Sequence, residues 1–589
     1  MALAFLIISL LGVRGRKEET FTYRGGFWLM LIGLLPYLSG TMIFSLNAEP
    51  MTLMCLYMGM TFIGYLLVLM GGVRLSRVIS RSLRGGAFRR HNEGFQQEEQ
   101  LRKTDFSLHL RARYKWQGKW RDSYISFINS RRGILICGSP GSGKSWFLIE
   151  PMIGQLTEKG FALFVFDFKF PVLSQHVYDQ FQRNRDKYPA STQFYCINFT
   201  DLSRSHRCNV IAPESMEYMA DAIGASRTIL LSMNKTWVNR QGDFFVESPV
   251  NFLAALIWFL RKYQGGIYCT LPHAIELAQV PYDKLFTLLN AEPEIQTLIG
   301  PFIEAYRNKT MEMLDSQLSS ARIPLGRLAS PDLYYVLTGN DGSLDINDPA
   351  APKILCLGGD PPRQEALAPI LSLYIDRLNK RINQQGKYKC ALVCDEFATV
   401  RAYSMTTIIA TGRSNNIVPI IAVQDLSQLR TQYSRDEADL FLNIAGNLVC
   451  GQVGGETARW VSERFPGVVR YNKTVSVNSS DTSVSRSEQT TSAVDVATIA
   501  NLSSGEFVGI VADDPELEVE FKAFHARITK DAKSTDRKRS EEMPVVRQVD
   551  AAMIEANFQQ VKREIEEMVT TETQRILGDP VLSKKMVKR

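Results

Sequence analysis

Residues 138–145 read Gly138-Ser139-Pro140-Gly141-Ser142-Gly143-Lys144-Ser145 and follow a short apolar segment, Gly133–Cys137. Glycines at this spacing let successive backbone N–H groups converge on phosphate oxygens, and the positive end of a following helix adds to the attraction. Lys144 can reach the β and γ phosphates, and the Ser145 hydroxyl can ligate Mg2+. Trp146–Leu156 has the helical spacing that such a loop requires next. The octet is a Walker A loop, and its ligand is ATP or GTP. Far downstream, Ala391-Leu392-Val393-Cys394-Asp395-Glu396 places two carboxylates after four apolar residues, the Walker B pattern. Asp395 would hold Mg2+ through water, and Glu396 would polarise the attacking water as general base. Ile417–Val423 ends at Gln424, an amide placed to sense the γ-phosphate or that water. Arg413, in Thr411-Gly412-Arg413-Ser414-Asn415, is either a solvated surface arginine or a finger entering a neighbouring subunit's nucleotide site.

These groups need a parallel sheet to position them, and the chain alternates strand and helix as such a sheet demands. Strands are expected at Phe161–Phe166 (ending at Asp167 and Lys169), Lys353–Leu357, Asn447–Val453, Gly505–Val511 and Leu517–Ile528. Residues 200–345 have a different texture. Asp221–Asn234, Phe244–Tyr263, Leu271–Gln279 and Thr310–Leu328 all show helical spacing, which predicts an all-helical insertion. Val250–Leu260 is apolar but for Asn251, yet too short to span a membrane. The fold class is therefore α/β, a P-loop nucleotide-binding domain carrying an all-α insertion. At 589 residues and 45% hydrophobic, the chain can hold three or four domains. Its nine cysteines are scattered, none in a C-x2-C pair, which suits a reducing compartment and argues against zinc.

Phe27–Leu46 and Met51–Val73 are apolar runs without a charged side chain, each long enough to cross a bilayer. Only Asn47–Pro50 separates them, so they form a helical hairpin. Arg14, Arg16, Lys17 and Arg24 precede it, and Arg74, Arg77, Arg81 and Arg84 follow, which places both ends on the cytoplasmic side. Ala2–Val13 reads as an interfacial segment or a third span. The net charge of +7 is concentrated. Residues 74–132 hold 15 Lys/Arg and 5 Asp/Glu, so this stretch carries +10 and the remainder sums to −3. Arg74–Arg90 suits anionic lipid. Arg111, Arg113, Lys115, Lys119 and Arg121 interleave with Tyr114, Trp116 and Trp120, either a nucleic-acid surface or an ordinary edge strand.

Together these features resemble the TraG/TraD-type coupling proteins of conjugation and type IV secretion, additional-strand ATPases related to RecA. The resemblance covers about residues 25–525 and rests on Phe166-Asp167-Phe168-Lys169, Asp395-Glu396-Phe397, and Gln424 with Gln428-Leu429. The stretches 167–171, 205–209, 241–249 and 454–458 are most like the MobC-like branch of Bacteroides-type mobile elements. Where members often carry Asn-Pro-Leu, this chain has Asn209-Val210-Ile211. The resemblance implies a homohexameric, multi-pass inner-membrane ATPase using ATP and Mg2+. Such proteins bring a relaxase–DNA complex to a type IV secretion channel and move non-specifically bound, single-stranded DNA. It implies site roles for Lys144, Ser145, Asp395, Glu396 and Gln424, with Arg413 matching the finger that acts between subunits.

The implied layout is a membrane region at 1–90, a RecA-like domain from 91–199 plus 346–528, an all-α insertion at 200–345, and a charged tail at 529–589. Two other readings stand beside it. A membrane-tethered translocase of the chromosome-segregation type usually has four spans and a basic winged helix at the C-terminus, and neither pattern is seen here. A receptor that docks secreted protein cargo with ATP as a structural ligand has no use for a water-activating Glu396. Tyr471–Ser492, eleven of whose 22 residues are Ser or Thr, is either a flexible linker or a β-hairpin around Asn478–Asp481. Ala551–Leu577 has a helical pattern, expected to bind a partner or to pack against the nucleotide-binding domain.

Overall fold

The computed structural model describes residues 23–87, 94–477, 482–515, 517–529 and 541–587. The segment Ala2–Val13 and the turn at 478–481 lie outside them. Two compact units emerge, one within residues 1–95 together with 115–120, the other comprising 96–114 and 121–589.

In the first unit, helix α1 (Tyr23–Ser39) runs through a 3-10 turn, Gly40–Ser45, and the chain returns as α2 (Pro50–Ala87). Glycine decides how closely these helices pack. A Cβ on Gly33 would lie 2.7 Å from the Leu67 Cβ, and one on Gly64 would lie 2.7 Å from the Tyr37 backbone nitrogen. Small residues at such crossings are how helices pack where lipid removes the hydrophobic drive between them. Phe27–Ser45 and Pro50–Arg74 are long and apolar enough to cross a membrane. Many of their large side chains, including Leu35 and Met51, are exposed.

The second unit is built on an eleven-stranded sheet. Its first strands are β1 (Leu108–Trp116), β2 (Lys119–Phe127) and β3 (Ile134–Cys137). After α3 (Glu150–Glu158) come β4 (Ala162–Asp167), α4 (Val172–Arg183) and β5 (Gln193–Ile197). Helices α5 (Met219–Met233), α6 (Phe244–Lys262), α7 (Leu271–Ala278), α8 (Tyr282–Ala291), α9 (Gln296–Arg307), α10 (Met311–Gly326) and α11 (Pro331–Leu337) follow. The sheet resumes with β6 (Lys353–Gly358), α12 (Gln364–Ile382), β7 (Cys390–Cys394), α13 (Ser404–Thr411) and β8 (Ile417–Val423). Next are α14 (Leu426–Gln432), α15 (Arg435–Ile444), β9 (Asn447–Cys450) and α16 (Gly455–Glu463). The remainder is β10 (Gly467–Val477), β11 (Thr482–Ser492), α17 (Val496–Ala500), β12 (Glu506–Ile510), β13 (Ala523–Ile528) and α18 (Ala551–Gly578).

The strand order is β2-β1-β13-β12-β9-β3-β8-β7-β4-β6-β5. From β9 to β5 every pair is parallel; beyond β9 the sheet continues with β12 antiparallel to β9 and β13 antiparallel to β12. Strands β3, β4, β7, β8 and β9 are buried along their whole length, as parallel strands covered on both faces must be. The last strand starts later than the pattern suggests. Residues 511–515 and 517–522 are mostly irregular, and β13 begins only at Ala523. At the other edge, β1 and β2 form an ordinary hairpin, and Tyr114 is buried with its hydroxyl donating to Glu99 at 2.7 Å. Tyr114 therefore belongs to the core rather than to a stacking surface. The Ser/Thr-rich stretch resolves as the hairpin: β10 pairs with β11 from Gly467↔Ser492 to Val477↔Thr482.

Between β5 and β6 the described chain is helical. Helix α6 is apolar and long enough to cross a membrane, but it lies buried against α5, α9 and α10. Asp243 caps its start, accepting from Phe245 N at 2.9 Å. The helical layer joins the sheet through α5 and α12. There the buried Arg377 donates to Asp221 at 3.2 Å, and the Tyr374 hydroxyl donates to the Cys208 carbonyl. The 205–209 stretch is a structural tie: Arg207 Nε donates to the Tyr335 carbonyl at 2.7 Å, and Asn209 to the Cys269 carbonyl at 2.8 Å.

Helix α18 docks on the helical layer instead of the sheet. Its buried stripe is Val561, Ile565, Met568, Val569 and Ile576, and its neighbours are α7, α8 and α11. His273 and Glu564 meet at 2.9 Å, and Phe558 packs on Tyr334. The preceding segment is pinned by Arg204–Glu542 at 2.6 Å and by Arg547–Asp341. Replacing a buried branched side chain by alanine costs roughly 2–5 kcal/mol where the site cannot collapse. Ile565→Ala should therefore loosen α18. Limited trypsin digestion should cut within residues 541–578 faster than in the parent protein, with ATP binding unchanged. Equal cleavage rates would show that the polar ties alone hold the helix.

Candidate nucleotide site

β3 ends at Cys137 and the loop turns under it. Gly138 N donates to the Val423 carbonyl at 3.3 Å and Ser139 N to the Gln452 carbonyl at 2.8 Å, so the flanking strands hold the loop's start. Ser142 Oγ donates to the Ser139 carbonyl at 2.8 Å. Gly141 and Gly143 have φ of +84° and +89°, where a side chain is strained. Nothing lies within 4 Å of a Cβ built on Gly141, whereas one on Gly143 would lie 2.6 Å from the Phe147 ring. The loop thus faces open space at Gly141 and solid core at Gly143. A wide π-type turn, Ser145–Ile149, carries the chain into α3.

Strand order does the rest. β8 lies between β3 and β7, so three carboxyl ends bring Lys144 and Ser145, Gln424, and Asp395 and Glu396 to one edge. Ser145 Oγ donates to Asp395 Oδ1 at 3.2 Å. Lys144 is buried and donates to the Gly138 carbonyl. Burial lowers its pKa, and the charges of Glu396 and Asp395 oppose that shift. Burial raises Asp395, against the hydrogen bond from Ser145 and the charges of Lys144 and Lys169. Burial pushes Glu396 up to about 7, although Gln424 donates to it and Lys144 lies near. Glu396 is 4% exposed and its Oε1 has no hydrogen-bond partner among the described residues.

Gly138, Ser139, Pro140, Gly141, Ser142, Gly143, Lys144, Ser145, Asp395, Glu396 and Gln424 are thus neighbours. Arg413 is not among them. It sits exposed in the turn Gly412–Asn415 before β8, at the opposite edge from its own loop. A seven-residue strand separates the two edges, about 23 Å at 3.3 Å per residue.

One buried group beside the site was marked in the sequence by its strand-end position and by the family resemblance, without a role. Asp167 is fully buried, and its Oδ2 accepts from Ser174 N at 2.8 Å and Ser174 Oγ at 2.9 Å. Burial raises its pKa to about 6, and the charge of Asp395 adds to the rise. Its strand supports Asp395 directly, since Asp395 N donates to the Phe166 carbonyl at 3.2 Å. The described residues hold no cluster of three or more His, Cys, Asp or Glu that could hold a metal ion by itself. Ser145 and Asp395 instead offer two oxygen ligands, which fits an Mg2+ that takes its other ligands from phosphates and water.

The comparisons agree with this geometry. Residues 389–504 match the family described as the TraM recognition site of TraD and TraG, and residues 1–80 match the YWFCY protein family. Among solved structures, plasmid coupling protein TrwB in complex with ADP and Mg2+ superposes with a TM-score of 0.51 at 16% identity, covering 76% of this chain and 91% of that one. TrwB with the non-hydrolysable GTP analogue GDPNP gives 0.50 at 14% identity, covering 76% and 92%. No curated protein matches the sequence significantly. The fold is a RecA-like P-loop nucleotide-binding fold with an all-α domain. Residues 389–504 thus carry the domain found in TraD and TraG, set in a fold similar to that of the TrwB coupling protein.

Proposed function

We propose that this protein is a membrane-anchored ATPase that couples a relaxase–DNA substrate to a type IV secretion or conjugation channel and drives DNA transfer by ATP hydrolysis. The convergence of Lys144, Ser145, Asp395, Glu396 and Gln424 at one sheet edge carries this reading. Residues 138–145 cradle the phosphates, and Lys144 meets their charge. Bound Mg2+, held by Ser145 and Asp395, would neutralise charge on the β and γ phosphates. Glu396 takes the proton of the attacking water, and Gln424 holds that carboxylate in place. Residues 91–199 with 346–528 form the motor, 200–345 its all-α domain, 1–90 the inner-membrane hairpin and 529–589 the tail. The four stretches at 167–171, 205–209, 241–249 and 454–458 favour the MobC-like branch. Partners are relaxase, channel components and single-stranded DNA bound without sequence preference, with the chain acting as a homohexamer.

Lys144→Ala should abolish hydrolysis, because the phosphates lose the loop's cation. Glu396→Gln should keep ATP binding and stop turnover, since an amide cannot take the proton. Near-normal turnover in Glu396→Gln would move the base to Asp395 or a water relay.

The Glu396 carboxyl sits near 7, raised from the ordinary value by burial, so it becomes protonated and inactive as pH falls below that. Turnover at saturating ATP should fall roughly tenfold per unit below neutrality while ATP affinity changes little. A rate unchanged down to about pH 5.5 would remove Glu396 as the base.

Arg413 stands at the edge away from its own phosphates, which supports a role in a neighbour's site. Arg413→Ala should bind ATP normally and hydrolyse it about 10³–10⁵ more slowly. Lysine should not restore the rate, lacking the planar fork. Mixing Arg413→Ala with Lys144→Ala subunits should recover partial activity, as one interface then has both intact groups. No recovery in demonstrably mixed hexamers would rule out action between subunits.

A further inference from the structure

Glu396 and Gln424 must keep one spacing, yet the hydrogen-bond ladder of the sheet stops short of both. The last β7–β8 pair is Cys394↔Ile421, and Glu396 and Gln424 lie two and three positions beyond it. Past Glu396 the chain forms a 3-10 turn, Phe397–Thr399, and past Gln424 it starts α14 at Leu426. Contacts outside the sheet must therefore hold these two segments together.

Tyr433, the residue after α14, stands at the centre of those contacts. Its side chain is 1% exposed, and its ring stacks on Phe397 with centroids 5.5 Å and planes 20° apart. Phe441 of α15 meets both rings edge-on, at 5.3 Å from Phe397 and 5.0 Å from Tyr433. The Tyr433 hydroxyl donates to the Val400 carbonyl at 3.0 Å and accepts from Ala402 N at 2.9 Å. Val400 and Ala402 are buried, so this one hydroxyl satisfies two backbone groups that water does not reach. Arg401, which lies between them and is 4% exposed, donates to the Gln432 carbonyl and to Glu437, both at 3.1 Å. Residues 396–402 are thus tied to 424–437 at both ends, by Gln424 on Glu396 and by Tyr433 and Arg401 farther along.

We propose that Tyr433 is a positioning residue for ATP hydrolysis: its hydroxyl clamps the loop that carries Glu396 onto the helix that follows Gln424, and so fixes the base against its amide partner. This rests on the function proposed above, in which Glu396 is the base. A phenylalanine would fill the same space in the core. It would lack the hydroxyl, and both hydrogen-bond partners of that hydroxyl belong to the loop of Glu396. Without it the Val400 carbonyl and the Ala402 N–H are stranded, and the loop must shift to satisfy them. Nothing in the clamp touches residues 138–145, so nucleotide binding does not depend on it.

The test uses the full-length protein in detergent, with hydrolysis and ATP binding measured separately. Tyr433→Phe should lower kcat about ten- to a hundredfold, as displacing a catalytic group by about 1 Å does. KM and ATP affinity should stay within about twofold of the parent's. Tyr374→Phe is the control for a structural effect, since it also removes a buried hydroxyl, the one that donates to the Cys208 carbonyl. It should lower the unfolding temperature and leave kcat unchanged. Arg401→Lys keeps a cation for Glu437 but loses the fork that reaches Glu437 and the Gln432 carbonyl at once. It should lower kcat in the same way but less, and it carries the test if Tyr433→Phe does not fold. A parental kcat in Tyr433→Phe, or an equal loss in Tyr374→Phe, would overturn the proposal. Near-normal turnover in Glu396→Gln would instead overturn the base assignment on which it rests, a result seen with Tyr433 intact.

Discussion

The structure depends on keeping carboxylates dry beside a lysine at one edge of a parallel sheet. Glu396 and Asp167 are buried and Asp395 nearly so, with Lys144 as the buried cation among them. Taking charge out of water is costly, and burial accordingly raises the pKa of Glu396 and Asp167. The fold offsets it with donors in fixed positions: Ser174 on Asp167, Ser145 on Asp395, Gln424 on Glu396. Each donor stands at or just after the end of a neighbouring strand or at the start of a helix, so the sheet must be rigid to hold them. Its fully buried strands, from β4 to β9, provide that rigidity.

A pocket short of positive charge is suited to a ligand that brings its own cation. Phosphates would add negative charge near Lys144 and Mg2+ positive charge near Asp395 and Ser145, which favours the two arriving together. The unpartnered oxygen of Glu396 points to the same conclusion. A group that a folded protein buries without a partner has usually been kept for chemistry rather than for stability.

The helical layer is attached through few but demanding contacts. Arg377 is 2% exposed and meets Asp221 and the Ser215 carbonyl, so losing either partner would leave a charge stranded in the interior. Such an ion pair adds little net stability but tolerates one geometry only. The tail strengthens the same layer from outside, through the α18 stripe and His273–Glu564, which makes residues 541–587 part of the folded body.

The phosphate loop, the Walker B pair, Gln424 and the two apolar N-terminal runs were legible in the sequence, because each is a contiguous stretch whose chemistry depends on adjacent residues. Strand periodicity also located most of the sheet, apart from β5, where no strand was expected, and the late start of β13. Sequence alone left the Ser/Thr-rich stretch undecided, since alternation in a polar segment fits both a ribbon and a linker, and only the β10–β11 pairing distinguishes them. Nor could it place α18, whose apolar stripe says that the helix must be covered but not by what. Tertiary structure alone put β8 between β3 and β7, brought Ser145 within 3.2 Å of Asp395, buried Asp167 and sent Arg413 to the far edge. Those relations join residues hundreds of positions apart, and they follow from how a whole sheet is ordered and packed, which no local pattern encodes.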